Sequence, residues 1–127
     1  MAVPITAIYG AVNAIFNVAL AANVSRVRGK TKVFLGTGDS EELLTAARRH
    51  GNNAEYVALA LVLLLTAELS GGAATVLHGV GAAFTLGRVL HAVGVGIKPS
   101  GPRALGALLT WVSIAAAGVY ALVASIR

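Results

Sequence analysis

The chain has 127 residues, of which 57% are hydrophobic and only 12% charged, and its mean hydropathy is +0.79; this excludes an ordinary water-soluble domain and indicates an integral membrane protein. The absence of cysteine removes disulfides, cysteine metal sites and a protein thiol nucleophile, so any thiol chemistry must use a sulfur brought from outside. The formal net charge of +5 is gathered between apolar runs, which marks membrane sidedness and not a nucleic-acid surface.

Apolar runs over residues 5–24, 57–69, 73–95 and 105–126 are set against the roughly 20 residues needed to cross a hydrocarbon core. They predict an all-α, four-helix membrane bundle in a single domain, residues 1–127, with helices over about 4–25, 40–69, 73–96 and 102–126. The first run is no secretory signal, since no Lys or Arg precedes it and it is too long for a signal core. Basic residues Arg26, Arg28, Lys30 and Lys32 follow helix one, Arg48 and Arg49 open helix two, and Lys98 and Arg103 lie between helices three and four. The positive-inside rule then puts loops one and three in the cytoplasm and both termini outside.

Helix one carries Asn13 and Asn17 a turn apart, an expected interhelical hydrogen-bonding pair worth about 0.6 kcal/mol each in a membrane. Loop one ends in a helix-start signal in which Asp39 is expected to cap and Glu42 to reach back. Helix two, at about 30 residues and about 45 Å, exceeds the hydrocarbon thickness, so its first turns project into the headgroup zone and beyond. Arg48, Asn52, Glu55 and Leu59 follow an i, i+4, i+7, i+11 pattern, which predicts a polar stripe directed into the bundle with Glu55 deepest. A carboxylate at that depth requires a partner, either a neighbouring arginine or a ligand ammonium group.

Helix three is rich in Gly and Ala, which permits close helix approach. Arg88 and His91 share one of its faces. An arginine within the span must face protein or a water-filled cavity; pairing with Glu55 is the simplest expectation and direct ligand binding the alternative. His78 sits near the outer end with no assigned role, and it is too far from His91 to share a metal, so no metal site is expected. Pro102 begins helix four and puts Arg103 in its first turn, while Trp111 and Tyr120 read as packing or interface residues.

Together Arg26, Arg28, Arg48, Arg49, Asn52, Glu55, Arg88, His91 and Arg103 make a strongly cationic set with one carboxylate. Such a set suits a small anionic peptide carrying several carboxylates and one ammonium group. Binding of lipid headgroups would account for the basic loop, but not for polar groups deep in the helices.

At these residues the sequence resembles the MAPEG family, the membrane-associated proteins in eicosanoid and glutathione metabolism. RRHGNNAEY, residues 48–56, resembles the family's helix-two signature of an arginine and an N-x-x-E pair before an apolar run. GRVLH, residues 87–91, matches G-R-x-x-H, and Arg103 matches the arginine opening helix four. The resemblance spans essentially the whole chain. It implies a homotrimer with a glutathione site between subunits, open to the cytoplasm. Asn52, Glu55 and Tyr56 would contact glutathione, with Glu55 taking its amino group. Arg48 and Arg26 or Arg28 would hold its carboxylates, His91 would line the site, Arg88 would organise it, and Arg103 would stabilise the thiolate. The implied activity is a membrane-bound glutathione-dependent transferase or peroxidase acting on lipophilic electrophiles. The implied setting is the bacterial inner membrane, with itself, lipid and a small hydrophobic substrate as partners.

The chain departs from the family pattern in three places. No proline follows the N-x-x-E pair, hydroxyl residues of some enzymes after the helix-four arginine are here Ala104 and Ala107, and a tyrosine one turn beyond the helix-three histidine is here Val95. These departures do not favour eicosanoid substrates and leave a non-catalytic lipid- or thiol-binding protein as the alternative. A small proton-coupled drug transporter would need a carboxylate in helix one, which has none.

Overall fold

The computed structural model describes residues 2–126. Among them it contains four helices, α1 (Pro4–Thr31), α2 (Glu41–Leu69), α3 (Ala74–Gly94) and α4 (Gly101–Ser125), and no strand. All four are long and apolar enough to cross a membrane, as the hydropathy requires.

Several boundaries differ from the sequence expectation. The first helix does not stop near residue 25 but continues to Thr31, so Arg26, Arg28 and Lys30 ride on its last turns instead of a loop. Basic side chains are favourable there, because the carbonyl end of a helix is partially negative. The cap of α2 is Ser40, whose hydroxyl accepts from the Leu43 amide at 3.2 Å, and not Asp39. Glu42 therefore stands at the second helical position, where it takes Lys30 Nζ at 2.7 Å instead of closing a capping box. The third helix ends at Gly94, two residues short of the expected limit.

The bundle is fastened at both ends and through its middle. At the end bearing the chain terminus, Ile5, Leu64, Ala67, Leu77 and Ala121 form a small core with Tyr9 and Tyr120 against it. There the Glu68 carboxylate accepts from the backbone amides of Ile5 and Thr6 at 2.9 and 2.7 Å, so the end of α2 caps the start of α1. At the basic end Val27, Leu43 and Ala46 form a second core, with Val24 and Val33 packed on it. Helices α3 and α4 are brought together through glycine. A Cβ on Gly94 would overlap the backbone of Arg103, and one on Gly106 would overlap that of His91. This approach sets Arg103 beside His91.

The expected pairing of Asn13 and Asn17 takes the form of two separate interhelical bonds. Asn13 Nδ2 donates to Thr85 Oγ1 on α3 at 2.9 Å, and Asn17 Oδ1 accepts from Asn53 Nδ2 on α2 at 3.1 Å.

Candidate functional site

The face of α2 that meets the other helices is set by a seven-residue repeat of small side chains, Ala46, Asn53, Ala60 and Ala67, all buried. Glu55 lies two residues beyond Asn53, about 200° further round the helix, and is exposed on the single chain. Arg48 and Leu59 are exposed as well, and Asn52 is half-buried. The stripe predicted to point into the bundle therefore runs along its margin. Glu55 is not enclosed in the bundle, and it does not pair with Arg88: among the described residues the one ion pair is Lys30 with Glu42.

Arg88 is nonetheless almost completely enclosed, 1% exposed. Neutral groups hold it. Its Nε donates to Asn53 Oδ1 at 3.2 Å, Nη1 to Thr110 Oγ1 at 3.2 Å and Nη2 to Asn52 Oδ1 at 2.7 Å. The guanidinium carbon lies 5.3 Å from the centre of the Tyr56 ring, a cation–π distance. Thr110 in turn donates to Gly106 O at 2.7 Å, and Asn53 reaches Asn17. A single chain of hydrogen bonds thus runs from α1 through α2 and α3 to α4. A buried cation that has neutral dipoles but no carboxylate retains an unbalanced positive charge, which an incoming anion would complete.

Two small cavities open beside it. The inner one, about 40 Å³, is lined by Asn52, Tyr56, Arg88, His91, Ala107 and Trp111. The outer one, about 120 Å³, is lined by Arg48, Asn52, His91, Val95 and Arg103. Asn52 and His91 line both, so the two are neighbouring compartments of one polar region. His91 is 7% exposed, and its Nδ1 is buried with no hydrogen-bond partner.

The structure thus gathers Arg48, Asn52, Tyr56, Arg88, His91 and Arg103 about one region. Glu55 lies on the adjoining exposed surface. The two other candidates are elsewhere. Arg28 Nη1 donates to the carbonyls of Val33 and Gly36 at 3.1 and 2.9 Å, which ties it to the loop after α1. Arg26 donates to Asn23 and borders a separate cavity of about 390 Å³ together with Glu41, Glu42, Thr45 and Arg49. Arg49 donates twice to Val95 O, at 3.2 and 2.7 Å, and so fixes the end of α3 against α2.

Sequence reasoning missed Asn53 and Thr110, both with no exposed surface. The alanine repeat at 46, 60 and 67 was a readable signal for Asn53; Thr110 is buried by the glycine-mediated closeness of α3 and α4, which a single helix pattern does not reveal. Trp111, read as a packing residue, also lines the inner cavity, and its Nε1 donates to the Tyr56 hydroxyl at 3.3 Å.

The model of the MAPEG family matches residues 6–123. The inner membrane protein YecN of Escherichia coli strain K12 is 31% identical over 110 residues, which cover 87% of this chain and 84% of YecN. YecN of Escherichia coli O6:H1 gives the same figures. No solved structure matches the chain.

Proposed function

The chain belongs to the MAPEG family, and from that premise we propose that its polar region binds glutathione or a related anionic thiol and delivers the thiolate to a lipophilic electrophile or a lipid hydroperoxide. The observation that carries this reading is Arg88, enclosed by Asn52, Asn53, Thr110 and Tyr56 without a carboxylate partner among the described residues, beside cavities lined by Arg48, His91 and Arg103. Cations arranged in this way suit carboxylates and a thiolate.

In the proposed reaction Arg48 holds a ligand carboxylate and Glu55 accepts a hydrogen bond from the ammonium group. Asn52 and Tyr56 position the peptide. Arg103 stabilises the thiolate formed when the thiol proton passes to water. In transfer, the sulfur lone pair forms a carbon–sulfur bond as a leaving group departs with its electron pair. In hydroperoxide reduction, two thiols yield a disulfide while the hydroperoxide becomes an alcohol and water. Both reactions balance without a further reductant.

The cavities of about 120 and 40 Å³ fall below the roughly 300–1,000 Å³ usual for a small-molecule site. With Arg48, Glu55 and Arg103 exposed on one protomer, the reading calls for a neighbouring copy to close the site, and we propose a homotrimer. In this assembly Arg26, exposed on α1, would approach the ligand from the adjacent subunit, Arg28 being held by the Val33 and Gly36 carbonyls. The positive-inside rule directs the open side to the cytoplasm, with both termini opposite and the chain in a bacterial inner membrane.

A second reading, a lipid- or thiol-binding protein without chemistry, draws on the side chains that line these compartments. Ala107 and Val95 present apolar atoms to the inner and outer cavity, and neither supplies a hydroxyl to the sulfur. The test is ultraviolet difference absorbance of the purified protein with glutathione, comparing wild type, Arg103→Ala and Glu55→Gln. A saturable thiolate signal that both variants lose supports the enzyme. Glutathione binding without thiolate selects the second reading, and an unchanged signal in Arg103→Ala overturns the activation mechanism.

A further inference from the structure

Among the described residues, the loop after α1 carries the most exposed large apolar side chains. Phe34 is 82% and Leu35 93% exposed, whereas the preceding Val33 packs on the core of Val27, Leu43 and Ala46. The turn is held in shape. Arg28 Nη1 donates to Val33 O and to Gly36 O, the two carbonyls that bracket Phe34 and Leu35, so the pair is pushed out at the apex. Lys32 ends α1 at φ 58°, and Gly36 adopts φ 66°, left-handed conformations that reverse the chain and that glycine adopts without steric cost.

The depth of this turn follows from helix geometry. The apolar part of α1, residues 5–24, is about 30 Å long, the hydrocarbon thickness. Val24 therefore stands near the boundary, and Val27 about 4.5 Å beyond it at 1.5 Å per residue. Val33 returns to the level of Val27 by packing against the same core. The apex accordingly lies within the headgroup layer, which extends roughly 5–8 Å on each side of the hydrocarbon. Lys30 and Lys32 precede it and are exposed; Lys30 pairs with Glu42 at 2.7 Å, which leaves Lys32 to meet a lipid phosphate beside the two apolar side chains, a combination suited to a bilayer surface.

We propose that the turn bearing Phe34 and Leu35 is an interfacial anchor, seated in the headgroup layer of an anionic bilayer with Lys32 on a lipid phosphate. The depth of the apex selects this occupant, because apolar side chains held at the headgroup level meet the bilayer boundary there. Arg28 sets the turn before binding, which reduces the ordering cost of inserting two apolar side chains. The anchor fixes the depth of the basic end of α1 and, through Val27 and Leu43, that of the first turns of α2.

The chain's single tryptophan, Trp111, makes a fluorescence test direct. Phe34→Trp in a Trp111→Phe background is reconstituted in vesicles of phosphatidylcholine alone or mixed equally with phosphatidylglycerol. Since Phe34 packs on little of the protein, the exchange leaves the fold intact, and Leu35→Trp provides an independent second reporter. The expected result is blue-shifted emission from both positions, quenched by lipids brominated near the headgroup end of the chain and screened from acrylamide, with stronger quenching in the anionic vesicles that Lys32→Glu diminishes. Emission characteristic of water, quenched by acrylamide, would overturn the proposal. So would blue-shifted emission insensitive to brominated lipid, which would assign the pair to a protein contact, and so would quenching indifferent to anionic lipid.

Discussion

Asn53→Ala should be among the more damaging single substitutions in this bundle, and its cost should depend on Arg88. Asn53 has no exposed surface; its Oδ1 accepts from Arg88 Nε at 3.2 Å and its Nδ2 donates to Asn17 Oδ1 at 3.1 Å. A hydrogen bond to a charged group contributes about 1.5–3 kcal/mol, and a neutral interhelical one in a membrane about 0.6 kcal/mol. The expected loss is therefore roughly 2–3.5 kcal/mol, most of it from leaving a donor of a buried cation without a partner. In an Arg88→Met background that cation is gone, the cost of Asn53→Ala should fall to the Asn17 bond alone, and the coupling should exceed about 1.5 kcal/mol. The assay is reversible unfolding in bicelles or mixed micelles, followed by helical circular dichroism, for wild type, both single variants and the double variant. Additivity within about 0.5 kcal/mol would refute the argument, since it would mean that Asn53 does not satisfy the charge of Arg88.

Three further outcomes follow from local geometry. Gly94→Ala should splay α3 from α4, because its Cβ would overlap the Arg103 backbone, and cost about 1–3 kcal/mol in the same unfolding assay; Gly51→Ala, with no atom within 4 Å of the added Cβ, should be neutral or stabilise by up to about 1 kcal/mol. Tyr56→Phe removes the acceptor of Trp111 Nε1 but keeps the ring by Arg88, so stability should change by less than about 1 kcal/mol while Trp111 fluorescence shifts. Glu68→Ala uncaps α1 and should cost about 1 kcal/mol, with amide exchange accelerated at Ile5 and Thr6 but not at Asn53.

Much of the architecture was legible because hydropathy reports spans directly: four apolar runs became four helices, and Asn13 and Asn17 found partners on neighbouring helices. Helix ends were less legible. Arg26, Arg28 and Lys30 read as loop because they are charged, yet a helix that leaves the hydrocarbon continues readily through arginine and lysine, which are good helix formers. The candidate region was identified with its face displaced. Arg48, Asn52 and Glu55 form the polar stripe in the sequence pattern, but burial on α2 follows small residues at 46, 60 and 67, and that row selects Asn53. The partner of Arg88 was out of reach for a related reason: charge pairing suggested Glu55, whereas helix phase brings amides and a hydroxyl to the guanidinium.

This displacement alters how the polar groups divide their work. Had Glu55 entered the bundle and paired with Arg88, the two charges would cancel, and an anion would gain little from approaching. In the structure Arg88 is immobilised by three neutral acceptors and an aromatic face, so its charge stays available while its position is fixed. Glu55, Arg48 and Arg103 remain exposed on the single chain, where they are free to meet a ligand or a neighbouring copy. On the proposed reading, preorganised charge inside and exposed charge at the margin would draw an anionic ligand inward. The same division explains why neutral partners matter: replacing Asn52 or Asn53 with a carboxylate would neutralise Arg88 and should weaken anion binding even if it strengthened the fold.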